Sequence, residues 1–331
     1  MRAQRLERPS PIGDSPLRLE DRSESGPGPG QLLLRVTACG VCHTDLHLAE
    51  GDLMPPRFPV TPGHQVVGEV TGLGQGVHGW ALGERAGIPW LHGACGKCEY
   101  CQRGEENLCE QASFTGFDVD GGYAEAMLAN ADYALHLPQG VSEQEAAPLL
   151  CAGIVGYRSL RKADLRPGER IGLVGFGASG HLALQVARYW GCEVYVFTRG
   201  AGHRRLASEL GAAWVGGVDD QPPALLDRAV IFAPVGALVP LMLAKLRSGG
   251  TLATNAIHMS PIPEFPYSLI YRERTLRSVA NATYQDGVEF LELAAAIPVR
   301  ARITLYRLAQ ANQALQDLKA GRIEGAGVLI P

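Results

Sequence analysis

Residues 169–199 read ERIGLVGFGASGHLALQVARYWGCEVYVFTR: an apolar run, a glycine turn, a helical pattern and a second apolar run. Two such runs joined through a helix are the signature of parallel strands, which need a crossover rather than a tight turn. The alternation goes on. HRRLASELG reads as a helix, AAWVGG, RAVIFAP and GGTLATNA as strands, and VGALVPLMLAKLRSG as a helix before the last of them. A repeated strand–helix order of this length commits the region to an α/β fold with a doubly wound parallel sheet. Within it GFGASG follows the apolar IGLV and opens a helix. Gly175 permits the tight turn, Gly177 lets backbone approach a pyrophosphate, and Gly180 lets helix pack on strand. Helix N-terminal N–H groups then face an anion. The turn predicts dinucleotide binding; the alternative is a glycine-rich turn without a ligand.

The second strand of that unit ends in VFTRG. An acidic residue there would grip the 2′-hydroxyl of NAD. Thr198 and Arg199 stand in its place, with Arg204 and Arg205 close behind. A hydroxyl and guanidinium groups suit a 2′-phosphate, so NADP(H) is favoured over NAD(H). If Arg199 is only a solvated surface charge, NAD also binds.

The first part of the chain has a different grammar. From Gln31 to about Leu137, short apolar runs such as LLLRVTACG, HQVVGEVTGLG, ERAGIPWL and YAEAMLANADYALHLP are broken by glycine and proline, as in an all-β unit. SESGPGPGQ reads as a turn between two early strands. At Ser142, with Glu145 three residues on, a capping box predicts a helix through SEQEAAPLLCAGIVGYRSL. After about Val279 come helix, strand, helix and a terminal strand, GAGVLIP. This tail is too small for a domain of its own and is expected to return to the first unit.

Four of the eight cysteines, Cys95, Cys98, Cys101 and Cys109, fall within ACGKCEYCQRGEENLC. The N-terminus has no apolar signal-peptide core, and no run approaches the roughly 20 apolar residues of a membrane span. A cytoplasmic location is therefore expected, where disulfides rarely persist. Four closely spaced thiolates suit a closed tetrahedral zinc site, structural rather than catalytic; an iron–sulfur cluster is the alternative. The formal net charge of −4, without a basic stripe, argues against nucleic acid and against a membrane surface as partner. Cys42, His64 and Cys151 could supply two thiolates and one imidazole with a fourth position open, but spacing alone does not unite them.

In this order, CGVCHTDLHLAEGD, TPGHQVVGEV, CGKCEYCQRGEENLC, APLLCAG and GLVGFGASGHLALQVA resemble the zinc-dependent alcohol dehydrogenases of the medium-chain dehydrogenase/reductase superfamily. The likeness is specific from about Gln31 to Gly191 and looser beyond. It implies a β-rich GroES-like catalytic domain at residues 1–153 and 280–331, and a Rossmann dinucleotide-binding domain at 154–279. It implies two zinc ions per chain, a catalytic one on Cys42, His64 and Cys151 and a structural one on Cys95, Cys98, Cys101 and Cys109. Thr44 takes the hydroxyl position beside the substrate oxygen, His47 the proton relay, Asp45 the carboxylate behind the His ligand, and His43 the basic position near the pyrophosphate. Cys39 and Cys192 are left as small buried hydrophobes.

Two departures stand out: Gln65 follows His64 where the family has Glu, and Ala326 replaces an Arg near the cofactor. Leu53 and Trp90 fall where the substrate channel is lined, though Trp90 suits plain packing equally. The implied reaction is hydride transfer between NADP(H) and primary alcohols or aldehydes, with aldehyde reduction the working direction. The rivals are a broad NAD-dependent alcohol dehydrogenase and, from another class, a non-catalytic zinc-binding module. A homodimer or homotetramer is expected.

Overall fold

The computed structural model describes residues 1–297 and 299–331. The chain forms two compact units, one of residues 1–152, 283–296 and 301–331, the other of 153–282 and 297–300.

The second unit is built on six strands in the order Trp214–Gly216, Glu193–Phe197, Arg170–Val174, Leu226–Ile231, Leu246–Thr254 and Thr275–Ser278. Every neighbouring pair is parallel. Chain order thus reverses beside Arg170–Val174, the topological switch point at which doubly wound sheets bind ligands. That strand is buried from Ile171 to Val174, which is why its sequence is a continuous apolar run rather than an alternation. Helices Ala178–Tyr189, Ala201–Glu209 and Leu238–Lys245 supply the crossovers. Val174, Tyr195, Phe197, Leu226, Ile231, Met242 and Leu252 fill a shared core.

The glycine turn has physical reasons at each end. Gly175 has φ of +90°, and a Cβ there would also sit 3.2 Å from the Ala233 nitrogen. At Gly180 a Cβ would come within 2.6 Å of the Gly175 oxygen, so only glycine lets the helix lie this close to the turn. Around the Cβ position of Gly177 nothing lies within 4 Å, leaving space in front of the helix N-terminus.

In the first unit the long strand Gln31–Val41 is the organiser. It pairs antiparallel with Val66–Leu73, Ala126–Asn130 and the terminal strand Ala326–Ile330. Ile303–Arg307 runs parallel to that terminal strand, while Arg85–Ile88 and Leu135–His136 extend the opposite side, giving six strands along one path with Ala126–Asn130 as a seventh beside it. The N-terminal hairpin Arg2–Leu6 and Leu17–Asp21 stands apart as a two-stranded sheet. Leu32, Leu34, Val36, Val66, Val70, Ala86 and Leu329 are buried together beneath the large sheet.

One expected element is broken. The region predicted as a single helix from Ser142 is three pieces: Glu143–Ala146, a 3-10 turn Ala147–Leu150, and Ala152–Lys162. Ser142 Oγ accepts the Glu145 N–H at 3.3 Å as the capping pattern predicts. Pro148 enters at the start of the 3-10 turn, and Cys151 leaves helical geometry at φ −134°, ψ −64°. A cysteine expected on a helix face is instead presented from a break between helices.

Candidate functional site

Cys42 caps the helix His43–Glu50. It is extended, with φ −127° and ψ 157°, and its N–H donates to Asp45 Oδ2 at 2.9 Å. The sequence CHTD is therefore a helix start in which the third helical residue reaches back to the cap. This places the Cys42 sulfur at the helix mouth and turns the Asp45 carboxylate inward, where it is 1% exposed. Thr44 Oγ1 lies 3.7 Å from Cys42 Sγ.

His64 arrives from a second element. Gly63, at φ +100°, turns the chain, and its N–H donates to Asp45 Oδ1 at 3.1 Å. His64 Nδ1 lies 3.1 Å from the same oxygen. The carboxylate thus fixes the ring so that Nε2 faces away from it, the arrangement found behind metal-ligating histidines. His64 Nε2 is buried with no hydrogen-bond partner. Cys151 comes from the helix break as the third contributor. The nearest donor atoms of Cys42, His64 and Cys151 all lie within 4.8 Å of one another, although the residues are distant in sequence.

The electrostatics of this cluster favour a cation. A hydrogen bond from the Cys151 thiol holds Cys42 well below the ordinary thiol range, and the same sharing pushes Cys151 well above it. Burial alone would depress the His64 ring, but the Asp45 carboxylate and the Cys42 sulfur reverse this and lift it to about 10. The cluster therefore concentrates negative charge around the buried imidazole. An orphaned imidazole nitrogen and two sulfurs form a donor set that fits zinc with an open position.

The second cluster, Cys95, Cys98, Cys101 and Cys109, also converges, its sulfurs within 4.8 Å of one another. The Cys98 N–H donates to Cys95 Sγ at 3.3 Å and the Gln111 N–H to Cys109 Sγ at 3.3 Å. The backbone N–H groups of Lys97 and Cys98 hold the Cys95 thiol down to about 6. A loop whose amides already point at sulfur suits thiolates around a closed tetrahedral ion.

Around the first cluster, Trp90 packs its ring edge-on to His64, centroids 4.9 Å apart. Phe114 stacks on Trp90 at 5.0 Å and Phe117 lies tilted at 5.9 Å. Trp90 is thus in contact with the site, and two aromatics without any sequence signal stand behind it. Leu53 follows the helix end, its N–H donating to the His47 carbonyl at 3.2 Å. Gln65 is buried, its side chain lying against Gly40, where a Cβ would meet it at 2.9 Å. His43 opens the helix His43–Glu50 and is exposed to solvent. His47 Nδ1 meets Asp52 Oδ2 at 2.8 Å, a partner with no sequence signal beyond an acid in a turn.

In the second unit Thr198 is buried at the end of its strand, its N–H donating to the Gly216 carbonyl at 2.8 Å. Arg204 Nε donates to the Thr198 carbonyl at 3.0 Å, which turns its guanidinium toward Gly217. Asp220 also faces this loop, accepting the Gly217 N–H at 2.7 Å. Among the described residues neither Arg199 nor Arg204 forms an ion pair with a carboxylate.

Residues 28–139 match the alcohol dehydrogenase GroES-like domain and residues 178–296 the zinc-binding dehydrogenase domain. Over its full length, and 97% of the relative's, the chain is 49% identical to a probable alcohol dehydrogenase, AdhA, of Mycobacterium tuberculosis. Among solved structures it resembles a cobalt- and zinc-bound thermostable alcohol dehydrogenase from Pyrobaculum aerophilum, 27% identical with TM-score 0.90 over 100% of this chain and 99% of that one. It also resembles the acetophenone reductase from Geotrichum candidum in complex with NAD, 27% identical with TM-score 0.88 over 100% and 97%.

Proposed function

Because the chain belongs to the zinc-dependent alcohol dehydrogenases of the medium-chain dehydrogenase/reductase superfamily, we propose that it transfers hydride between NADP(H) and primary alcohols or aldehydes at zinc held by Cys42, His64 and Cys151. The observation that carries this reading is the meeting of those three donors with His64 Nε2 left unpartnered. Zinc bound there supplies Lewis acidity and the nicotinamide supplies hydride chemistry. Everything else falls to side chains. Thr44 and His47 are three residues apart on one helix and share a face. Thr44, beside the Cys42 sulfur, is placed to exchange a proton with a substrate oxygen. His47 passes that proton on, and Asp52 at its Nδ1 fixes the ring so that Nε2 accepts. Asp45 holds His64. Trp90, with Phe114 and Phe117 behind it, forms an apolar wall that suits uncharged substrates, and Leu53 is assigned to the substrate lining.

The Cys95, Cys98, Cys101 and Cys109 loop holds a second, structural zinc. Gly175, Gly177 and Gly180 cradle the pyrophosphate. Thr198, Arg199 and Arg204 recognise the 2′-phosphate, supported by two guanidinium groups without carboxylate partners. NAD is the second reading, favoured by the NAD complex of the Geotrichum relative and by Asp220 on the loop that Arg204 faces.

The chain is further proposed to pair with a second copy along Thr275–Ser278, the last strand of the parallel sheet. Leu276 is 37% exposed on this strand, and Tyr267 and Tyr271 are exposed beside it. A cytoplasmic setting accords with eight free cysteines. No helix among the described residues is long and apolar enough to cross a membrane.

The test is zinc content together with steady-state rates for NADPH and NADH over a panel of aldehydes. Two zinc ions per chain and faster turnover with NADPH support the reading. One zinc and no turnover would leave a binding module, and a large preference for NADH would overturn the assignment of Thr198, Arg199 and Arg204.

A further inference from the structure

Asp45 is buried and accepts four donors. His64 Nδ1 and the Gly63 N–H meet Oδ1, both at 3.1 Å. The Cys42 N–H meets Oδ2 at 2.9 Å, and the Tyr123 hydroxyl donates to Oδ2 at 3.1 Å. Three of these donors belong to the cluster or its turn. The fourth comes from 78 residues away in sequence, on a side chain that is 0% exposed.

Tyr123 also grips the turn that delivers His64. Its N–H donates to the Pro62 carbonyl at 2.9 Å, and the Gly122 N–H donates to the Gly63 carbonyl at 2.9 Å. A Cβ on Gly63 would lie 2.4 Å from Tyr123 Cδ1, so the ring rests directly on the backbone before His64. One residue thus holds the carboxylate behind the imidazole and the peptide in front of it. Without the hydroxyl, Oδ2 keeps only the Cys42 amide, and the carboxylate is held less firmly against the ring. A buried acceptor with one donor fewer also costs free energy wherever it stays.

We propose that Tyr123 is a positioning residue of the zinc site: its hydroxyl fixes the Asp45 carboxylate and thereby holds His64 in the orientation that ligates the metal. This rests on the assignment of Cys42, His64 and Cys151 as zinc ligands. Partners of metal-bound histidines change metal affinity about 10- to 100-fold, and a group one bond further out belongs at the lower end.

The experiment follows zinc release from the fully loaded protein to a chromogenic chelator, in wild type, Tyr123→Phe, Asp45→Asn and the double variant. The zinc of the four-cysteine loop is the internal standard. In Tyr123→Phe one release phase should quicken about 10-fold while the other keeps its rate. Asp45→Asn should quicken the same phase at least as much, and the double variant should release no faster than Asp45→Asn alone. Replacing Tyr123 with 4-aminophenylalanine, which keeps ring and donor, should restore slow release; this variant carries the test if Tyr123→Phe fails to fold. Unchanged rates in Tyr123→Phe, equal quickening of both phases, multiplying effects in the double variant, or fast release from the 4-amino variant would each overturn the proposal. A wild type that holds one zinc would instead sink the three-ligand assignment on which it rests.

Discussion

Asp52 Oδ2 lies 2.8 Å from Nδ1 of His47, the aspartate standing just past the glycine that ends the histidine's helix. The contact assigns the Nδ1 proton to the carboxylate side and leaves Nε2 as the acceptor. Without a fixed acceptor the ring can present the wrong tautomer, which for an acid–base group removes part of a 10²- to 10⁴-fold contribution. Asp52→Asn is therefore expected to lower kcat about 10-fold with KM for the aldehyde little changed. A KM effect alone would mean that Asp52 serves substrate binding.

The 2′-phosphate assignment makes a separable prediction. Arg204 is held by the Thr198 carbonyl with its guanidinium otherwise unbonded to side chains among the described residues. A hydrogen bond to a charged group contributes about 1.5–3 kcal/mol. Arg204→Ala should thus lower kcat/KM for NADPH about 10- to 100-fold and leave that for NADH unchanged. Thr198→Asp should go further and reverse the preference, because a carboxylate repels the phosphate and accepts from a ribose hydroxyl. Equal losses for both cofactors would place Arg204 in the scaffold instead.

What could be read from the chain beforehand follows from how locally each feature is encoded. The four-cysteine loop and the glycine turn carry their partners within a few residues, and the parallel sheet announces itself through fully apolar strands such as Ile171–Val174. The N-terminal strand Arg2–Leu6 is silent because polar Gln4 and Arg5 are buried in it, 2% and 4% exposed, through long-range bonds to the Leu308 carbonyl and Asp120. Thr275–Ser278 is an edge strand of mostly exposed residues, so no apolar period marks it. The break at Cys151 does have a local signal in Pro148, which falls in the second turn of the helix expected from Ser142, where its missing N–H interrupts the ladder. Tyr123, Asp52, Phe114 and Phe117 matter only through what the fold brings to them, and a single sequence holds no record of such distances.

His181 is fully buried in the helix that follows the glycine turn, with Nδ1 3.1 Å from the Gly177 carbonyl. Burial depresses its pKa from 6.5 to about 4. Between those values the unfolded chain binds a proton that the folded chain refuses, so stability rises with pH through this window. The contribution is complete above about 6.5 and lost as pH falls toward 4. Lowering the pH from 7 to 5 should cost about 2 kcal/mol through this residue. His181→Gln keeps a polar side chain but cannot take up that proton. Urea midpoints of the two proteins at both pH values read the difference: the wild type should lose more stability on acidification than the variant. Parallel losses would assign the acid sensitivity to other groups.

Arg228 meets Glu169 through two bonds, Nε to Oε2 and Nη2 to Oε1, each 3.0 Å, at the start of the central strands of the parallel sheet. The side chains are 7% and 14% exposed, so this is a nearly dry, two-pronged pair rather than a surface contact. Arg247 reaches the same carboxylate at 3.7 Å, and Asp164 lies 3.7 Å from Arg228. Removing one partner of such a pair costs about 3–5 kcal/mol, because the remaining charge stays buried. Asp164 is 55% exposed and can compensate only weakly for the Arg228 charge. Glu169→Gln should therefore destabilise the second unit by about 3 kcal/mol and lower its melting temperature by about 10 °C. Turnover at 25 °C should be unchanged, since the pair joins the strand ends opposite to those that lead into the glycine turn. A calorimetric scan beside an activity assay separates the two effects, and a variant that melts with the wild type would show that this pair contributes no net stability.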